Sequence, residues 1–127
     1  MTRAVADTSI LVARESGRDL GSLPDEIAVS VVTSAELELG VLRAKNAETR
    51  ALRLATLSRV RSTYPLLPVD PEIGSCFARL ADAALSEGRK VRSHDTWIAA
   101  TALRHGVPVL TQDKDFSKFD SVEVILV

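Results

Sequence analysis

Apolar positions in this chain fall into short continuous runs separated by longer stretches of helical period. Arg3-Ala4-Val5-Ala6 is a run that ends in Asp7-Thr8-Ser9, after which Ile10, Leu11 and Val12 begin a helix. Gly17, Gly21 and Pro24 mark a loop. Ile27 to Val32 reads as the strongest strand, β-branched and nearly continuous, as in a parallel strand covered on both faces. Thr33 ends it. A helix from Ser34 to about Ala47 follows, with Leu37, Val41 and Ala44 on one stripe and Thr33-x-x-Glu36 as a capping box.

A second helix, about Glu48 to Thr63, turns Leu54, Leu57 and Val60 to a core and Arg50, Arg53, Arg59 and Arg61 elsewhere; the two helices form a hairpin. Pro65 and Pro68 bracket the short run Leu66-Leu67. The next helix carries Ile73, Phe77, Leu80, Ala81, Ala84 and Leu85 at helical spacing and closes at Gly88. After the basic connection Arg89-Lys90-Val91-Arg92, Ser93 opens a helix with Asp95 in its first turn, and Gly106 closes it with Pro108 beyond. The apolar run Val107 to Leu110 leads into the acidic loop Thr111 to Phe116, and Val122 to Val127 is a final strand. Strands alternating with helices predict a three-layer α/β/α domain with a mostly parallel central sheet.

At 127 residues the chain is expected to form one domain, 1–127, able to bury roughly two-thirds of its unfolded surface. Its N-terminus is broken by Asp7 before a signal-peptide core forms, and no apolar run approaches spanning length, so the expected location is cytoplasmic, away from membranes. Cys76 is the one cysteine, which excludes an internal disulfide and a cysteine-based zinc site, and it falls in a helical pattern as a packing residue. A formal net charge of −1 argues against nucleic-acid binding by bulk charge. Neutralising four acids at one site changes that balance by four units and leaves basic rims.

The acids are where the pattern points to chemistry. Right-handed crossovers bring the C-terminal ends of parallel strands to one edge, where α/β proteins gather their ligands. Asp7, Glu36 and Asp113 each follow a different strand, and Asp95 reaches that edge from a helix N-terminus. Taken singly, Glu36 is a capping partner, Asp95 a first-turn acid, and Asp113 and Asp115 turn residues. Taken together they repel and need a counter-charge. Oxygen ligands without histidine or cysteine suit Mg²⁺ or Mn²⁺, which share coordination with substrate phosphate. Thr8 and Ser9 beside Asp7, and Thr111 before Asp113, either aim a carboxylate or cap a strand end. Glu38 reads as solvated surface, His94 as an exposed first-turn residue, and His105 as a helix C-terminal cation; neither histidine reads as a catalytic base.

The segments Val5-Ala6-Asp7-Thr8-Ser9, Thr33-Ser34-Ala35-Glu36-Leu37 with Gly40-Val41, His94 to Ala102, and Thr111-Gln112-Asp113-Lys114-Asp115-Phe116, in that order, make the whole chain similar to PIN-domain ribonucleases. Within them it resembles the VapC-type toxins of bacterial type II toxin-antitoxin modules. The resemblance implies that Asp7, Glu36, Asp95 and Asp113 form an acidic metal cluster with all its core acids intact, with Asp115 as a fifth acid and Thr8 and Thr111 as supporting hydroxyls. It implies an Mg²⁺- or Mn²⁺-dependent endoribonuclease acting on structured RNA such as tRNA or rRNA, as a homodimer or toxin-antitoxin hetero-oligomer. A VapB-type antitoxin would wrap the region Glu36 to Thr63. Candidate RNA phosphate contacts are Arg43, Lys45, Arg89, Lys90, Arg92 and Lys114.

Two readings compete. A receiver-type phosphoacceptor domain has similar length and clustered acids, yet needs a Lys at the end of the last strand, where Val127 stands. A non-catalytic PIN-like binding module would share the fold without the hydrolysis, and metal binding separates the two.

Overall fold

The computed structural model describes residues 2–13 and 15–127. Among these, five strands form one sheet: β1 (Arg3–Ala6), β2 (Glu26–Ser30), β3 (Leu66–Leu67), β4 (Val109–Thr111) and β5 (Val124–Leu126). Their order is β3-β2-β1-β4-β5, and every neighbouring pair is parallel. The helices are α1 (Thr8–Leu11), α2 (Val31–Leu42), α3 (Ala47–Thr63), α4 (Pro71–Ser86) and α5 (Ser93–His105), with a 3-10 turn over Lys114–Lys118.

Side chains alternate across the sheet, as the strand period requires. Val5 and Val109 join Ile73, Cys76, Leu80 and Ile98 on the side of α4 and α5. Ala4, Ala6, Val29 and Leu110 join Ile10, Leu37, Leu57 and Val60 on the side of α1, α2 and α3. The result is the three-layer α/β/α arrangement predicted from the sequence. With strands of two to five residues, the two apolar layers hold the sheet. A buried branched side chain contributes about 1.5–3 kcal/mol over an exposed one. On the α4–α5 side, Phe77 stacks on Trp97 with ring centroids 4.1 Å apart.

Several element ends differ from the sequence reading. β2 stops at Ser30, whose hydroxyl accepts the Val32 amide and caps α2, so Val31 and Val32 are helical despite their β-branching. Thr33 is therefore inside the helix, not its cap, and no capping box forms with Glu36. The first helix is a single turn beginning at Thr8, and the last strand is trimmed to Val124–Leu126. Leu54 and Leu85 are exposed, at 49% and 63%, where helical spacing had pointed them inward.

The arginines of α3 do more than face solvent. Arg53 donates to the Gly40 carbonyl at 2.8 Å and Arg59 to the Leu11 carbonyl at 2.8 Å, tying α3 to the ends of α2 and α1. Arg61 pairs with Glu38 at 2.6 Å, so Glu38 is partnered. Cys76 is buried in the α4–α5 layer as expected. Gly106 ends α5 in the left-handed region, at φ 66°, which glycine adopts without strain and which turns the chain into β4.

Candidate active site

The strand order reverses direction between β1 and β4: from β1 the chain builds outward through β2 and β3, and on the other side through β4 and β5. Such a switch point opens a crevice at the C-terminal strand ends. Asp7 follows β1 and Asp113 comes two residues after β4, so the two acids stand at the C-terminal ends of the two strands that meet at this point. Glu36 comes in from the second turn of α2, and Asp95 from the first turn of α5.

Asp7 is 5% exposed, and burial pushes its carboxyl above the ordinary aspartate value, with Asp95 adding to the rise and hydrogen bonding to Ser9 and Thr111 opposing it. The Ser9 hydroxyl donates to Asp7 Oδ1 at 2.6 Å, lies 3.5 Å from Thr111 Oγ1, and accepts the Gln112 amide at 3.0 Å. One serine thus joins the ends of β1 and β4. Of the two hydroxyls that follow Asp7, Ser9 and not Thr8 makes this bond; Thr8 lines a shallow groove beside Glu36. Thr111 is fully buried and accepts the Asp113 amide at 2.9 Å, while Asp113 Oδ1 accepts the Asp115 amide at 2.9 Å and starts the 3-10 turn.

Burial also raises the Glu36 carboxyl; His94 opposes the rise, and Asp95 and Asp7 add to it. Glu36 Oε2 lies 3.2 Å from His94 Nδ1, while Oε1 is buried without a hydrogen-bond partner. His94 is exposed as expected, but its contact with Glu36 was not legible in a one-dimensional pattern, since it needs the N-terminus of α5 to meet α2. Asp95 is raised by burial first, with Arg92 lowering it and Asp113 and Asp115 raising it. Like charges that raise one another's affinity for protons mark a cluster short of positive charge.

The nearby cations are the chain's own. Arg92 lies 3.1 Å from Asp95, 3.7 Å from Asp113 and 2.7 Å from Asp115, and so stands among the acids. Lys118, which the sequence reading passed over, approaches Asp115 at 3.7 Å. Arg89 pairs with Glu87 and reaches the Lys118 carbonyl, while Lys90 and Lys114 are exposed on the same rim. Arg43 is the residue after α2, two turns beyond Glu36, and Lys45 lies farther along.

Drawn onto these partners, the acids are spread: no three His, Cys, Asp or Glu side chains among the described residues converge as placed on one ion position. Their chemistry nevertheless fits a hard divalent cation. The donors are oxygens, and Glu36 Oε1 is a buried acceptor with nothing to accept. Two grooves of about 680 and 690 Å³ lie against α4 and at the opposite edge of the sheet, and neither is lined by these acids. No described helix is long and apolar enough to cross a membrane.

A family model described as "PIN domain" matches residues 4–122. Ribonuclease VapC5 of Mycobacterium tuberculosis is 48% identical over 97% of this chain and 94% of its own length, and Ribonuclease VapC4 of the same organism is 40% identical over 98% and 97%. Among solved structures, the VapBC-5 member of the VapBC family of toxin-antitoxin systems from Mycobacterium tuberculosis superposes with a TM-score of 0.86 at 43% identity, covering both chains completely. VapBC2 from Rickettsia felis, solved with a DNA fragment from its promoter, has a TM-score of 0.81 over 99% of each chain; at 17% identity it speaks to the fold alone. By the sequence match over nearly its whole length and by its five-stranded parallel sheet, this chain belongs to the PIN domain family, among its VapC-type members.

Proposed function

We propose that this chain is an Mg²⁺- or Mn²⁺-dependent endoribonuclease toxin that hydrolyses RNA phosphodiester bonds and is held inactive by a VapB-type antitoxin. What supports the reading is that Asp7, Glu36, Asp95 and Asp113, borne by separate elements around the C-terminal strand ends, lie near enough for Asp95 to raise Asp7 and Glu36 and for Asp113 to raise Asp95. The ribonuclease names of relatives at 48% and 40% identity support the activity.

In this reading Asp7, Glu36, Asp95 and Asp113 hold the ion, with Asp115 as an outer fifth acid. A divalent ion held by these residues would supply Lewis acidity for activating water and offsetting charge on the phosphate. Ser9 fixes the Asp7 carboxylate through its 2.6 Å bond, and Thr111 fixes the turn that presents Asp113. Arg89, Lys90, Lys114 and Lys118 form a rim that receives neighbouring phosphates. In the overall hydrolysis water would add to phosphorus in line as the bond from phosphorus to the ribose 3′ oxygen breaks, the water losing a proton to solvent and the leaving oxygen gaining one, which gives a 5′-phosphate and a 3′-hydroxyl with no covalent enzyme intermediate. Unpaired loops of tRNA or rRNA suit so open a site, since splayed nucleotides reach it without melting a helix.

The antitoxin's place is the α2–α3 hairpin, where Leu39, Leu42, Leu52 and Leu54 are each about half exposed or more. Exposed leucines on both helices of one hairpin suit an interaction surface. The solved relative with a TM-score of 0.86 comes from a toxin-antitoxin system, which supports an antitoxin partner; a homodimeric or hetero-oligomeric assembly in the cytoplasm is part of the same proposal.

The test is cleavage of total RNA and a tRNA panel by the purified chain, with Mg²⁺ or Mn²⁺ and with chelator, beside Asp95→Asn. Cutting that needs metal and falls by roughly two orders of magnitude or more in the variant is expected. A folded wild-type chain that binds no divalent ion overturns the reading in favour of a non-catalytic binding module.

A further inference from the structure

Arg92 precedes α5 and is held by its backbone: its carbonyl accepts the Thr96 amide at 2.8 Å and the Thr96 hydroxyl at 2.7 Å. From that anchor the guanidinium turns toward the crevice. Nη2 lies 3.1 Å from Asp95 Oδ2 and 3.7 Å from Asp113 Oδ2, and Nη1 lies 2.7 Å from Asp115 Oδ2. One planar fork thus spans carboxylates from two segments, a task suited to arginine and poorly matched by lysine. Two of those carboxylates, Asp95 and Asp113, are the ones the proposed function assigns to the divalent ion.

The same charge cannot be neutralised twice. With Arg92 in place, three acids share a monovalent cation, and a divalent ion that takes Asp95 and Asp113 competes for their oxygens. We infer that Arg92 is a built-in counter-cation that a divalent ion displaces from Asp95 and Asp113, so that this arginine sets the metal affinity of the site; the inference rests on the nuclease reading. Arg92 acts through the acids, as a positioning residue. Its side chain is 51% exposed, so each contact is screened and the combined competition is modest. Displaced, the guanidinium stays at the rim beside Lys118 and Arg89.

The test is titration calorimetry of the full chain with Mn²⁺ alone at pH 8, on wild type, Arg92→Gln, Arg92→Lys and Arg3→Gln, with melting curves to confirm that each folds. Arg3 pairs with Glu26 at the opposite edge of the sheet and controls for net charge. Arg92→Gln is expected to bind Mn²⁺ about three- to tenfold more tightly, on the scale of losing a few screened ion pairs. Arg92→Lys should fall between it and wild type, and Arg3→Gln should match wild type. An unchanged or weaker affinity in Arg92→Gln, or an equal gain in Arg3→Gln, overturns the inference while leaving the nuclease reading standing. If no variant binds Mn²⁺, both fall.

Discussion

At the scale of single residues, the acids are a liability that the fold tolerates. Asp7, Glu36 and Asp95 are all raised above their ordinary values, by burial first and by neighbouring acids. A carboxyl that is harder to ionise in the folded state than in the unfolded one favours folding at low pH. That contribution is lost as pH rises, because the unfolded chain ionises first. Asp7→Asn is therefore expected to raise the metal-free melting temperature at pH 8, with the gain shrinking as pH falls through the raised folded-state value and vanishing once the unfolded chain is protonated too. Calorimetric scans across pH measure it. A variant less stable than wild type at every pH would mean that the Ser9 and Thr111 hydrogen bonds outweigh burial. Stability gained together with activity lost would identify Asp7 as a residue kept for chemistry.

At the scale of elements, α2 decides where Glu36 points, and its first turn was the least legible part of the sequence. Ile27 to Val32 carries the β-branched pattern of a strand, yet Ser30 accepts the Val32 amide and starts the helix within that run. Propensity yielded to a side-chain cap and to packing that no local pattern contains. Ser30→Ala is expected to lower stability by about 1 kcal/mol, the usual loss of a cap. Thr33→Val should be neutral or stabilising, because the Thr33 hydroxyl is fully buried without a hydrogen-bond partner. Urea unfolding of both variants decides between Ser30 and Thr33 as the cap, and the reverse ranking would contradict the helix start described above.

The places of Asp7, Asp95 and Asp113 were legible because each follows a strand or opens a helix with recognisable signals, Gly106 and Pro108 before β4 among them, whereas Glu36 was placed by a capping box that does not form. The partners of the acids were less so. Ser9 bonds Asp7 because a one-turn helix brings its hydroxyl back over the strand end. Arg92 and His94 meet acids from other elements, contacts that only the assembled layers create. The exposure of Leu54 and Leu85 has the same origin: periodicity names a helix face, and tertiary packing decides how much of it is covered.

At the scale of the molecule, the sheet order carries both stability and chemistry to β1. Val5 and Ala6 pair with β4 on one side, and Arg3 to Val5 with β2 on the other. Both apolar layers close over this strand. A divalent ion bound at its end would relieve repulsion among acids borne by four separate elements and so stabilise the whole fold. Mn²⁺ at about a hundred times its dissociation constant is expected to add about 2.7 kcal/mol, or roughly 10 °C in melting temperature. EDTA should reverse the shift, and Asp7→Asn should show little of it. Equal shifts in wild type and variant would place the ion elsewhere.

The same strand order sets when, during synthesis, the crevice can exist. β1 is made first but lies at the centre, and its partner β4 is encoded beyond residue 100. A nascent chain that has completed α4 still lacks Asp95, Asp113 and one side of the central strand. Fragments from stalled or truncated translation thus carry neither the full acid set nor the surface that aligns it. On the proposed nuclease function, harmlessness before completion follows from the order in which the strands are read out.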